Sequence, residues 1–99
     1  MATTALTLYR GAASISPTTL YTIPSGTGVV TNIVVANTSA SSGTFSITLN
    51  GTDILSTVAI QGNSSAFFDL KQTVASGQTI SGVANATSIN FSISGVLIV

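Results

Sequence analysis

Residues 44–51, Thr44-Phe45-Ser46-Ile47-Thr48-Leu49-Asn50-Gly51, alternate apolar with hydroxyl-bearing side chains and then end in an Asn-Gly pair. Successive side chains of an extended strand point to opposite faces, so Phe45, Ile47 and Leu49 share a face that seeks a core while Thr44, Ser46 and Thr48 face away from it. Asn50-Gly51 suits a type I′ turn, whose two central positions both need positive φ, and Ile54 to Ile60 reads as the returning strand. A half-buried hairpin is the expected unit here.

The same period extends in both directions. Upstream, Thr18 to Ile23 meets Pro24-Ser25-Gly26 before the strongly apolar Val29 to Ala36, a pattern that predicts a second hairpin. Asn37 to Gly43 and Gln61 to Ser65 read as loops, with a strand at Ala66 to Lys71. Ser76-Gly77 is a turn, Gln78 to Val83 a strand, Ala84 to Ala86 a turn, and Thr87 to Val99 a long final strand. No apolar repeat at three and four residues supports a helix, and Val, Ile, Thr and Ser dominate. About eight short strands with a turn signal every ten or so residues predict an all-β fold, a single β-sandwich of antiparallel strands. Jelly-roll and immunoglobulin-like topologies both fit. Residues 1–12 are expected to form an N-terminal arm or edge strand, and residues 13–99 the sandwich.

With 99 residues, one hydrophobic core is expected. Charged residues make up 4% of the chain, against about 25% in typical soluble domains; they are Arg10, Asp53, Asp69 and Lys71, and the formal net charge is zero. Nucleic acids and anionic membrane surfaces are drawn by clustered Lys and Arg, so neither is an expected partner. No stretch approaches the ~20 apolar residues of a membrane span, and Met1-Ala-Thr-Thr-Ala has neither the basic start nor the apolar run of a secretory signal. A surface with so little charge lacks the repulsion that keeps proteins apart, which suits a subunit of an assembly; a Ser/Thr-coated free domain is the alternative.

The residue types that carry most chemistry near neutral pH are missing: the chain has no His, no Cys and no Glu. Asp69 and Lys71, two apart in a predicted strand, share a face and read as an exposed ion pair. The expectation is a protein that is not an enzyme and carries no cofactor. Two distant Asp make no metal site, and Gly26-Thr27-Gly28 lacks the following Lys and helix of a phosphate loop. Asn-x-Ser/Thr sequons at Asn37, Asn50, Asn63, Asn85 and Asn90 are incidental in a chain this rich in Ser and Thr.

Binding surface is sought where apolar residues break the alternation. In the last strand Val96 and Ile98 join the polar face of Ser92 and Ser94 after Gly95. In Phe67-Phe68 the rings must point opposite ways, so Phe68 and Leu70 enter the core and Phe67 joins Asp69 and Lys71. In the N-terminal run Leu6 and Leu8 can join the sheet while Tyr9 and Arg10 are residue types enriched in interface hot spots, or the run is instead an arm that reaches a neighbour. Leu6, Leu8, Tyr9, Arg10, Phe67, Val96 and Ile98 are therefore the candidate partner interface. At each place, cover by the protein's own loops, or a bulge at Gly95 that flips the register, is the competing reading.

The order of Leu20-Tyr21-Thr22-Ile23-Pro24, Val30-Thr31-Asn32-Ile33-Val34-Val35-Ala36-Asn37, Phe68-Asp69-Leu70-Lys71, Gly77-Gln78-Thr79-Ile80 and Ile93-Ser94-Gly95-Val96 resembles small virion structural proteins of tailed bacteriophages, over nearly the whole chain. Such proteins are capsid decoration (cement) proteins or tail and fibre-associated components, usually β-sandwich and often trimeric. The resemblance implies localisation in the virion, a homo-oligomer with a trimer favoured, and docking on other virion proteins, above all the major capsid protein. Phe91 to Val99 is also similar to the last strand of trimeric tumour-necrosis-factor-type jelly rolls. A tail or fibre-associated carbohydrate- or receptor-binding module is the alternative function, although such sites commonly stack sugars on exposed aromatic rings and the chain has no Trp.

Overall fold

The computed structural model describes residues 3–99, which form eight strands: β1 (Thr3–Ala12), β2 (Thr18–Thr22), β3 (Thr27–Asn37), β4 (Gly43–Leu49), β5 (Thr52–Ile60), β6 (Ser64–Ala75), β7 (Thr79–Ala84) and β8 (Ile89–Ile98). They make two four-stranded antiparallel sheets, ordered β1-β8-β3-β6 and β2-β7-β4-β5. The first is sheet I and the second sheet II. Strand 1 pairs with 8, 2 with 7, 3 with 6 and 4 with 5. This is one long antiparallel hairpin rolled up from its β4–β5 tip, so the sandwich is a jelly roll and not immunoglobulin-like.

At that tip, Asn50 and Gly51 have φ of 48° and 82°, the positive pair a type I′ turn requires. The second predicted hairpin is corrected. β2 lies in sheet II and β3 in sheet I, so Pro24-Ser25-Gly26 carries the chain across the sandwich from one sheet to the other. Gly26 holds φ at 70°, and a Cβ there would run into the Ile98 carbonyl, so the crossing depends on glycine for both its conformation and its space. Residues 3–12 form an edge strand hydrogen-bonded along β8.

The core lies between the sheets. Ile33, Val35, Ile93 and Phe91 of sheet I meet Phe45, Ile47 and Ile80 of sheet II, all buried. Phe45 is the hub, with Phe68 and Phe91 each at 6.0 Å and 65° to its ring, the edge-to-face arrangement that matches a ring's positive edge to a negative face. The buried polar residue is Asn37, at the end of β3. Its amide donates to the Ser41 and Ile60 carbonyls at 2.8 and 3.4 Å, and its carbonyl accepts the Ser39 N–H at 3.0 Å. The amide and the carbonyl of the side chain are thus both used, closing the β3–β4 loop and tying it to the end of β5.

Two bulges face each other across β8. β1 gains an extra residue between Thr7 and Tyr9, and β3 gains one between Val30 and Asn32. Both bulges sit beside the Ile93 to Gly95 segment, while β8 itself runs without a shift. Gly95 does not flip the register of its own strand: Ile93, Gly95 and Leu97 face the core, and Ser94, Val96 and Ile98 face outward.

Candidate functional site

Sheet registers place the outward residues of sheet I in cross-strand rows, read here from β1 through β8 and β3 to β6. The first is Thr3, Ile98, Thr27 and Ala75, and the next Ala5, Val96, Val29 and Thr73. Beyond the bulges come Thr7, Ser94, Asn32 and Asp69, then Arg10, Ser92, Val34 and Phe67, then Ala12, Asn90, Ala36 and Ser65. The side chains are mostly short, so the face is low in relief. Phe67 stands out from it at 74% exposure. Val29, Val34, Val96 and Ile98 are half-buried by their neighbours alone.

Charge on this face is confined to its edges. Arg10 lies on β1, where its Nε donates to Ser92 Oγ at 3.2 Å, and Asp69 and Lys71 lie exposed on β6. No ion pair joins Asp69 and Lys71 among the described residues. Between the edges, Asn32 Oδ1 is buried without a hydrogen-bond partner, although its row neighbours Ser94 and Asp69 are polar.

The candidate residues therefore divide. Arg10, Phe67, Val96 and Ile98 share the outer face of sheet I. Leu8, at 4% exposure, belongs to the core: it turns inward two residues after Leu6, packs near Gly95, and is the residue the β1 bulge leaves unpaired. Leu6 and Tyr9 are half-buried against that core, and the Tyr9 hydroxyl donates to the Ala12 carbonyl at 2.8 Å. What alternation along one strand does not reveal is the company Val29, Val34 and Asn32 keep on the same face, since that depends on which strands are neighbours.

Sheet II presents a different exterior. Thr19, Thr22, Thr44, Ser46, Thr48, Thr79 and Ser81 give it a coat of hydroxyls, with Thr48 Oγ1 donating to Asp53 at 3.0 Å. A groove of about 290 Å³ crosses one end between exposed Ile15, Val83, Ser46 and Asn85. A second hollow, about 320 Å³, opens where edge strands β5 and β6 splay apart, and is lined by Ile33, Ile54, Leu55, Phe68 and Leu70. Asp69 is the one ionisable residue lining the second hollow and none lines the first, and no cluster of three or more His, Cys, Asp or Glu occurs among the described residues.

No protein-family model matches the chain, and no curated protein sequence does. Among solved structures, the C-terminal domain of EclA, a sugar-binding protein, is similar over 97% of this chain and 77% of its own, at 17% identity and a TM-score of 0.48. A pentameric capsid protein isolated from metagenomic phage sequences is similar over 93% of this chain and 61% of its own, at 14% identity and a TM-score of 0.46. The carbohydrate-binding module CBM35 from Paenibacillus barcinonensis is similar over 98% of this chain and 89% of its own, at 15% identity and a TM-score of 0.41. At these values none of the three decides a ligand or a role for this chain.

Proposed function

We propose that the chain is a structural subunit of a bacteriophage particle, a decoration protein that assembles with itself and docks on the major capsid protein of the head shell, and that it performs no catalysis. The observation that supports it best is the outer face of sheet I: four strands wide, with Val29, Val34 and Val96 flanking a polar Ser94–Asn32 centre, crowned by exposed Phe67 and charged only at its edges. A surface that is flat, short-chained and uncharged between its edges loses little side-chain entropy when covered, and it releases water from the apolar area of its valines and Phe67. Exposed apolar patches of this kind mark interaction sites. The sequence resemblance to phage virion proteins supplies the setting.

The sugar-binding alternative has less to work with. Phe67 is the one aromatic residue among the exposed large hydrophobics, and the Tyr9 hydroxyl is committed to the chain's own backbone. The test is to incubate the purified chain with undecorated heads and, separately, with a glycan array. Stoichiometric incorporation on heads, lost on Phe67→Ser, is the expected result. Specific glycan binding with no uptake by heads overturns the proposal.

A further inference from the structure

We infer that the outer face of sheet I is covered by a second copy of the same chain, packed face to face about a two-fold axis parallel to the strands and lying between β8 and β3. The inference rests on reading this face as the assembly surface, and names what occupies it. A two-fold contact must be self-complementary: if one residue meets another, the reverse contact also occurs. An axis along the strands lays β1 over the partner's β6 and β8 over the partner's β3, and keeps each row at its own height.

In the row Arg10, Ser92, Val34 and Phe67, the axis sets Arg10 over the second copy's Phe67 ring, a cation on an aromatic face. One row along, Thr7 meets Asp69, so each carboxylate gains a hydroxyl donor and lies within a long side chain's reach of Arg10. Ser94 meets Asn32, whose Oδ1 has no partner within the chain and gains a hydroxyl donor once the amide turns toward the contact. In the next row Val96 meets Val29, apolar against apolar. Lys71, the other charge on the face, falls on an uncharged stretch of the partner's β1, its stem along Ala5 and Thr7.

The competing in-plane axis, perpendicular to the strands, fails on charge. Centred on the five rows, so that the whole face is covered, it turns the row containing Asp69 onto itself, Asp69 opposing Asp69, and it sets Arg10 over Ala5. Of these two full-face arrangements the strand-parallel axis is selected because it brings unlike groups together.

The area is sufficient. Four strands about 4.8 Å apart and roughly ten residues long at ~3.3 Å each present a face of ~630 Å² per copy, or about 1,300 Å² for the pair, which falls within the range of stable interfaces. Face-to-face sheets pack at ~10 Å, a gap that Ser94 with Asn32 and Arg10 with Phe67 can span.

Sedimentation velocity of the purified chain tests the inference, with Arg10→Asp, Asp69→Arg and the double variant compared against it. Wild type is expected to sediment as a dimer, each single variant to dissociate at least tenfold more readily, and the double variant to recover most of the loss. Arg10 and Asp69 lie on opposite edge strands of one sheet, so any rescue between them acts across two copies. Circular dichroism verifies that these exposed changes leave the fold intact. A monomer at high concentration, a trimer as the resemblance implies, or strictly additive losses overturns the two-fold pairing. If the chain is monomeric and Phe67→Ser still abolishes uptake by heads, the face contacts the shell: the inference falls while the proposed function stands. If the dimer and the rescue appear but heads take up nothing, the proposed function falls alone.

Discussion

Gly95 of β8 lies against the backbone of Val29 in β3 so closely that a Cβ at Gly95 would overlap the Val29 carbonyl oxygen. The approach occurs where β1 and β3 both bulge against β8, and the Leu8 side chain fills the remaining space on the core side. Backbone cannot yield as a flexible side chain does. Gly95→Ala must therefore push β8 away from β3 and displace Leu8, with an expected cost of about 1–3 kcal/mol, the usual penalty for overpacking. Thermal unfolding checks it: a lowered midpoint with unchanged far-UV dichroism is the expected outcome, and an unchanged midpoint contradicts the close approach.

The buried Asn37 side chain ties three backbone groups, at Ser39, Ser41 and Ile60, to the end of β3. Truncation to Ala removes these partners and leaves the groups to find water at the edge of the core. Loss of about 1–3 kcal/mol is expected for Asn37→Ala. In urea the midpoint should fall while the slope stays constant, since the surface exposed on unfolding hardly changes. The same variant should not alter assembly, because Asn37 faces inward.

Gly51 gives a cleaner measure of backbone strain. Its φ is 82°, and a Cβ there would have nothing within 4 Å, so Gly51→Ala adds no clash and tests conformation alone. The expected loss is about 1 kcal/mol, the order of cost for an L-residue held in the left-handed region. Equilibrium unfolding of the two proteins side by side measures it; equal stability would mean the turn relaxes into another type.

The strands themselves are legible because alternation is a local signal, and Phe45, Ile47 and Leu49 lie in the core as their spacing requires. Strand order is not local. Pro24-Ser25-Gly26 and Asn50-Gly51 both announce a reversal, but only the second reverses within a sheet; the first arches between sheets, a difference set by how the whole hairpin rolls up. The same limit applies to the site. Phe67, Val96 and Ile98 are visible as breaks in pattern, whereas Val29, Val34 and Asn32 join them through pairing of β3 with β8 and β6. Alternation from Leu6 turns Leu8 inward, as observed, but the β1 bulge then turns Tyr9 inward and Arg10 outward, which alternation along the strand does not anticipate.

Low charge makes a prediction about solution conditions. With four charged residues and no net charge, the chain brings few ionised groups to any contact with the shell, so screening by salt has little to act on. Uptake of the chain by heads should change little between about 0.05 and 1 M salt, although the Debye length shrinks from more than ~10 Å to ~3 Å over that range. Apolar burial is, if anything, favoured by excluded salts such as sulfate. Pelleting of decorated heads across a salt series checks this, and release by salt alone would indicate that ion pairs dominate the contact.

Phe67 separates folding from assembly most sharply. Its ring is 74% exposed, while the adjacent Phe68 packs edge-on to Phe45, so two neighbouring phenylalanines of one strand have opposite roles. Substitution of a solvent-facing ring makes no cavity, and Phe67→Ser is expected to leave stability within about 0.5 kcal/mol of wild type. Phe68→Ser removes a buried-side ring from the hub and should cost about 3 kcal/mol or more, because it combines lost transfer energy with a void and a polar group on the core face. Assembly should respond in the reverse sense per unit of stability: Phe67→Ser stays folded and fails to associate, whereas Phe68→Ser, under conditions where it remains folded, still associates. Urea unfolding and sedimentation on the same two preparations decide the matter, and a Phe67→Ser protein that associates as wild type does would remove the outer face of sheet I as the contact surface.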